Sequence, residues 1–169
     1  MLTNKSEATQ ASRKLLIVGD PMCGKRTLLH SFVRNQFGID CSRQIIDTPV
    51  VPIQVDQRTI HMALFDITAA EEHDRLRSLY YPGTNIILIC FSIDNPASLV
   101  NVTKKWISEV RVHCDQCPVI LVACKIDLRT DSQKIAELKT QGETLVTNEI
   151  GRRIARKIKA DAYMECSTK

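Results

Sequence analysis

Residues 15–29 read LLIVGDPMCGKRTLL. The apolar run Leu15–Val18 has the composition of a buried strand, and an amphipathic helical pattern opens at Lys25. Between them lies G-x-x-x-x-G-K, the pattern of a phosphate-binding loop. Its glycines let backbone N–H groups turn toward phosphate oxygens at the start of a helix, and its lysine adds a positive charge. The residue after the lysine is ordinarily Ser or Thr, whose hydroxyl seats Mg²⁺. Here it is Arg26.

The chain has 169 residues, which suits one domain with a sizeable core. Apolar residues make up 44% and charged residues 25%, an ordinary globular balance. A net charge of +4 is mild: it suits an anionic ligand or a membrane surface but reads more simply as solubility, and no nucleic-acid partner is expected. No apolar stretch is long enough to cross a membrane. Residues 1–12 are polar and read as a flexible leader before a domain over 13–169. Seven cysteines without an export signal predict a reducing, cytoplasmic setting and free thiols.

Apolar runs alternate with helix-period segments, which predicts an α/β fold with a mostly parallel six-stranded sheet. Strands are expected near 14–19, 51–56, 59–66, 85–92, 119–125 and 163–167, with a hairpin at Asp56-Gln57-Arg58. IILICFS and VILVAC are apolar nearly throughout, as central strands buried on both faces should be. A helix behind Pro96 places Leu99, Val102, Trp106 and Val110 on one face. Another over 148–159 turns Ile150, Ile154 and Ile158 inward and five basic residues outward. Residues 130–147 read as an exposed segment with a short helix.

Three further segments give the phosphate loop its context. Asp66 ends an apolar strand, the position of the acidic Mg²⁺ partner in phosphate-loop enzymes. Cys124-Lys125-Ile126-Asp127 ends another; a carboxylate at Asp127 can accept two hydrogen bonds from a guanine edge while the Lys125 stem lies on the base. Glu165–Lys169 follows the last strand, where backbone amides can meet the base oxygen. Open α/β sheets bind ligands at the carboxyl ends of their strands. Each segment alone is an ordinary loop; together, in this order, they point to guanine nucleotide.

The strings LFDITAAEEHDRLRSLYYPGTNIILICFSIDNPASLVNVTKKWISEVRVHC, VILVACKIDLR and YMECS resemble the Ras superfamily of small GTPases, specifically its Rho/Rac branch. The resemblance runs from about Lys14 to Lys169 and implies the phosphate-loop GTPase fold, with the Rho-type insert helix at 130–147. It implies GTP or GDP as ligand, held by Gly19, Pro21, Met22, Cys23, Gly24, Lys25, Arg26 and Thr27 of the loop. The base side would comprise Phe37, Lys125, Asp127, Leu128, Ser167 and Thr168, with Asp66 at the metal. Effectors and regulators would read two switches, near Phe37–Pro49 and Asp66–Tyr81. The family continues past this point with a final helix and a lipidated tail. Here the sequence stops at Lys169 without a prenylation signal, so membrane association would need a tail or partner outside it.

The departures from the family pattern cluster at the metal and γ-phosphate. Arg26 and Gln44 stand at the two hydroxyl ligands of Mg²⁺, and Ala70 at the glutamine that orients attacking water. Pro21 and Ala69 replace glycines, Cys41 a switch tyrosine, and Cys124 the usual Asn or Thr. Only Asp66 remains of the metal's partners; Thr27 is one residue late, about 100° around the helix. Losing a preorganised stabiliser costs on the order of 10²–10³ in rate, so hydrolysis is expected to be very slow or absent. Two roles stay open for Arg26: charge near the phosphates in place of Mg²⁺, or a plug that repels nucleotide. The rival readings are a nucleotide-free pseudo-GTPase scaffold and a hydrolase completed by a partner. Cys114-x-x-Cys117 lacks the second pair that zinc would need.

Overall fold

The computed structural model describes residues 12–34, 49–67 and 74–169. Residues 1–11 of the leader and the expected positions Phe37, Cys41, Gln44, Ala69 and Ala70 lie outside the described residues, while Ser12 opens the first strand.

The elements are β1 (Ser12–Gly19), α1 (Lys25–Arg34), β2 (Val50–Val55), β3 (Arg58–Asp66), α2 (Asp74–Arg77), β4 (Ile86–Ser92), α3 (Pro96–Asn101), α4 (Ile107–His113), β5 (Val119–Cys124), α5 (Ser132–Thr140), α6 (Asn148–Lys157) and β6 (Ala162–Glu165). The six strands form one sheet in the order β2-β3-β1-β4-β5-β6. All neighbours are parallel except the β2–β3 hairpin, where Ile53 faces Ile60. The expected mixed, mostly parallel sheet is therefore present. The hairpin closes through Asp56 (φ 46) and Gln57 (φ 65). Both residues are left-handed, the geometry that matches strand twist in a two-residue turn, even though neither is glycine.

Alternation along the strands builds a core on each face. Leu16, Val18, Ile87, Ile89, Phe91 and Leu121 meet Leu99, Trp106 and Val110 on one side. Ile17, Leu64, Cys90, Val122 and Cys124 meet Leu29 of α1 on the other. The helix stripe predicted behind Pro96 is buried as expected. Its helix is not uniform: Val102–Trp106 is π-helical between α3 and α4. That widened turn, of a kind often found at functional sites, was not visible as a pattern in sequence.

Element ends differ from expectation for local reasons. α6 stops at Lys157 instead of 159 because Lys159 turns left-handed (φ 54). Ala160 N then donates to Ala155 O at 2.9 Å and Lys159 N to Arg156 O at 3.1 Å, a Schellman closure. The insert region holds α5, capped by Asp131, whose carboxylate accepts from Lys134 N at 3.0 Å, and anchored by the buried Leu138. The turn after α4 brings Cys114 and Cys117 together, their Cα atoms 5.4 Å apart, a spacing from which the two sulfurs can pair. Cys23, Cys90, Cys124 and Cys166 are free.

Candidate nucleotide site

Five strands run parallel, so β1, β3, β5 and β6 deliver Gly19, Asp66, Cys124 and Glu165 to one edge of the sheet. β1 is central and its successors lie on both sides of it, the topological switch point at which open α/β sheets bind ligands.

The loop after β1 is set by close approaches that only glycine allows. A Cβ on Gly19 would lie 2.2 Å from the backbone oxygen of Cys90, and its φ is 143. Gly24 (φ 104) brings α1 against Cys124, to whose Cβ a side chain would lie 3.3 Å away. Pro21 and Met22 form the exposed outer bend, with Met22 left-handed at φ 61. Cys23 is buried beneath it. Burial pushes its thiol up, with Lys25 opposing, so it is inert packing rather than a reactive group.

Asp20 is a functional residue that sequence reasoning missed. Its Oδ1 accepts from Trp106 Nε1 at 2.7 Å and its Oδ2 from Asn101 Nδ2 at 2.6 Å. The carboxylate thereby ties the loop to the junction of α3 and the π-helical turn. The acid inside the motif was the available signal, but its partners lie more than eighty residues away.

Lys25 is buried and donates to the carbonyls of Gly19 at 2.9 Å and Asp20 at 2.7 Å. The side chain expected at the phosphates thus closes back over the loop itself. Arg26, the next residue, reaches across to β3: its Nε lies 3.2 Å from Asp66 Oδ2. The Asp66 side chain is 9% exposed and that of Arg26 is 42%. Among the described residues, Asp66 Oδ1 is buried without a hydrogen-bond partner. A dication such as Mg²⁺ wants an octahedron of oxygens. One carboxylate already engaged by a guanidinium is a poor fit for it.

The base end is better preserved. Gly24, Thr27, Cys124, Lys125, Asp127, Leu128, Cys166, Thr168 and Lys169 line a cleft of about 350 Å³. Thr27 therefore turns away from the metal position, as its place on the helix predicts, and toward the base side. Lys125 takes a left-handed backbone (φ 63) as the chain leaves β5. Its Nζ lies 3.3 Å from Asp94 Oδ1, which lays its stem along the cleft wall. Burial pushes the Asp94 carboxyl up, but the Ser92 hydroxyl with Lys125 and Lys134 outweighs it and holds the group lowered. Asp127 Oδ1 accepts from Ser167 Oγ at 2.6 Å, joining the segments that follow β5 and β6.

Cys124 does not loosen this end. Ile93 N bonds Cys124 O at 3.2 Å, Cys166 N bonds Ala123 O at 2.9 Å, and Ile126 N bonds Cys166 O at 3.3 Å. Backbone pairing holds the loop where a side-chain amide is missing. The thiols of Cys124 and Cys166 are 3.9 Å apart. Their mutual bond and burial push Cys166 up; Cys124 is pulled down by Cys166 but raised on balance by Cys90 and burial.

A family model described as the Ras family matches residues 14–169. The chain is 47% identical over 157 residues to GTP-binding protein RHO1 of Saccharomyces cerevisiae, which covers 93% of this chain and 75% of the relative. The chain belongs to the Rho branch of the Ras family. It is also 46% identical over 162 residues to rho1 of Schizosaccharomyces pombe, covering 96% and 80%. A third relative, rho5 of the same yeast, is 45% identical over 161 residues. The six-stranded sheet with its helices is thus the small-GTPase fold. Proteins of this family generally interact with regulators and effectors. Among the described residues, no helix of this Rho-branch chain is long and apolar enough to cross a membrane. Nor do those residues hold three or more His, Cys, Asp or Glu side chains placed to bind a metal.

Proposed function

We propose that the protein is a Rho-type guanine-nucleotide-binding module of signal transduction, of the cytoskeleton and polarity kind, with GTP hydrolysis very slow or lost. The observation that carries the reading is the cleft in which Asp127, tied to Ser167, faces Lys125, Gly24 and Thr27. The loss of turnover rests on Ala70 and Gln44, which supply neither a water-orienting amide nor a hydroxyl at the second metal-ligand position. Effectors and regulators would bind across residues 37–49 and 66–81, in the cytoplasm, with any membrane anchoring supplied by another segment or partner.

One observation favours a second reading, the nucleotide-free scaffold: Lys25 is spent on the loop's own carbonyls. The test is to denature the purified protein and identify released nucleotide by chromatography, then follow added GTP for phosphate release. Guanine nucleotide with negligible turnover supports the proposal. No released nucleotide and no uptake of GDP or GTP selects the scaffold, and turnover at a rate ordinary for small GTPases selects a working hydrolase.

A further inference from the structure

We propose that Arg26 is a built-in counter-ion in place of Mg²⁺, so that the site binds guanine nucleotide without a divalent metal and gains no affinity from a γ-phosphate. The inference rests on the guanine-nucleotide reading above and concerns the phosphate end of the same site.

The geometry points there in three ways. The Arg26 guanidinium uses its Nε for Asp66, and among the described residues it has no second hydrogen-bond partner. The two Nη groups of the fork, on a side chain 42% exposed, are left for bidentate contact with phosphate oxygens. Asp66, the one surviving carboxylate, is neutralised by the same group. In the family pattern a dication does both jobs, screening the acid and drawing in the phosphates.

The second indication is the helix. α1 opens with Lys25 and Arg26 and has no acidic residue in its first turn. Two cations sit at the positive end of a helix dipole, where they repel it and each other. That placement is unfavourable for the free protein and becomes favourable once an anion occupies the loop.

The third is charge balance. Lys25 and Arg26 less Asp66 leave one net positive charge at the phosphate end. The family set of one lysine, one acid and Mg²⁺ leaves two. Each added phosphate brings negative charge that this site has less means to compensate, so a triphosphate has no advantage over a diphosphate.

The rival is a Mg²⁺ ion on Asp66 Oδ1, the buried oxygen without a partner. Isothermal titration calorimetry of the full chain, stripped of nucleotide, separates the two. GDP and GTP are each titrated in excess EDTA and again in millimolar MgCl₂. Dissociation constants within about twofold across all four conditions are expected, because no term in binding depends on the metal. Arg26→Met, which keeps volume and removes the charge, should weaken GDP about tenfold or more in EDTA, the loss of one charge-assisted contact. Affinity that falls tenfold or more in EDTA for the unaltered chain overturns the inference and leaves the guanine reading standing. GTP binding tenfold more tightly than GDP, or an Arg26→Met chain that folds and binds GDP unchanged, also overturns it. Absence of binding in every condition overturns both.

Discussion

Arg77 is the most completely buried charge among the described residues, 2% exposed, and Glu109 holds it from α4. Glu109 of α4 takes its Nε at 2.6 Å and its Nη2 at 2.8 Å, a bidentate pair. The same carboxylate accepts from Tyr81 Oη at 2.8 Å. The guanidinium carbon lies 5.1 Å from the centre of the Trp106 ring. Burial, with the Glu109 bond, pushes the Tyr81 hydroxyl well up, so it remains a donor throughout the ordinary pH range. Glu109→Ala would leave a buried guanidinium without its carboxylate and a buried phenol without its acceptor. Breaking a fully buried pair costs about 3–5 kcal/mol. Because the Glu109 side chain is 18% exposed, water can screen part of this. The expected loss is about 2–4 kcal/mol after that discount. For a chain of this size each kcal/mol lowers Tm by about 2–4 °C, so a fall of roughly 4–16 °C is expected. Glu109→Gln keeps an acceptor and should cost about half as much. Tyr81→Phe removes one bond to a charged acceptor, about 1.5–3 kcal/mol, and should add less than its full value on top of Glu109→Ala. Urea unfolding followed by circular dichroism, with thermal melts in parallel, measures all four chains. A Glu109→Ala chain within about 1 kcal/mol of the parent would refute the reasoning, since Arg77 would then have found water or another partner at little cost.

Gly19→Ala should prevent folding, because its Cβ would meet a strand carbonyl at 2.2 Å and β1 is bonded to β4 there; soluble yield and circular dichroism report it, and a native melt would contradict it. Gly151→Ala should destabilise despite alanine's better helix propensity, because the new Cβ would sit 2.1 Å from Tyr163 Oη and 2.5 Å from its Cζ. The net loss is about 1–3 kcal/mol, readable as a lower urea midpoint, and a gain in stability would count against the tight α6–β6 contact. The Arg129 guanidinium, bonded to Glu165 at 2.7 Å through each of two nitrogens, holds that carboxyl at about 2, below its ordinary 4.5. A depressed folded value means the pair's contribution is complete above pH 4.5 and lost as pH falls toward about 2. Urea midpoints against pH should therefore fall less steeply in that window for Arg129→Ala than for the parent, and identical slopes would dismiss the pair.

Much of the fold was legible because its strands are written in one-state language. IILICFS and VILVAC cannot be solvated on either face, and their order with amphipathic helices leaves little topological choice. The meeting of Lys125, Asp127 and Ser167 was legible for a similar reason: they sit at fixed offsets from strand ends, so pairing those strands brings them together. The phosphate end was not. Arg26 is forty residues from Asp66, and nothing short of the β1–β3 register says that the long side chain would span the gap. A sequence motif specifies where a backbone turns; it does not specify where a flexible guanidinium rests. Asp20 escaped for the same reason, since its partners depend on the π-helical turn that rotates Trp106 into reach. The approach of Cys114 to Cys117 followed from a local turn after α4 that composition could not weigh.

The contact between Asp20 and Trp106 also makes the protein its own optical instrument. Trp106 is the chain's single tryptophan, 1% exposed, with its indole N–H bonded to the phosphate loop at 2.7 Å. Indole emission responds to the charge and hydrogen bonding around the ring. A loop that shifts to admit an anion, or Lys25 releasing its two carbonyls, therefore alters the colour and intensity of that one emitter. Occupancy of the loop can be followed without a label, in the unmodified chain, from the light of a residue that touches no ligand.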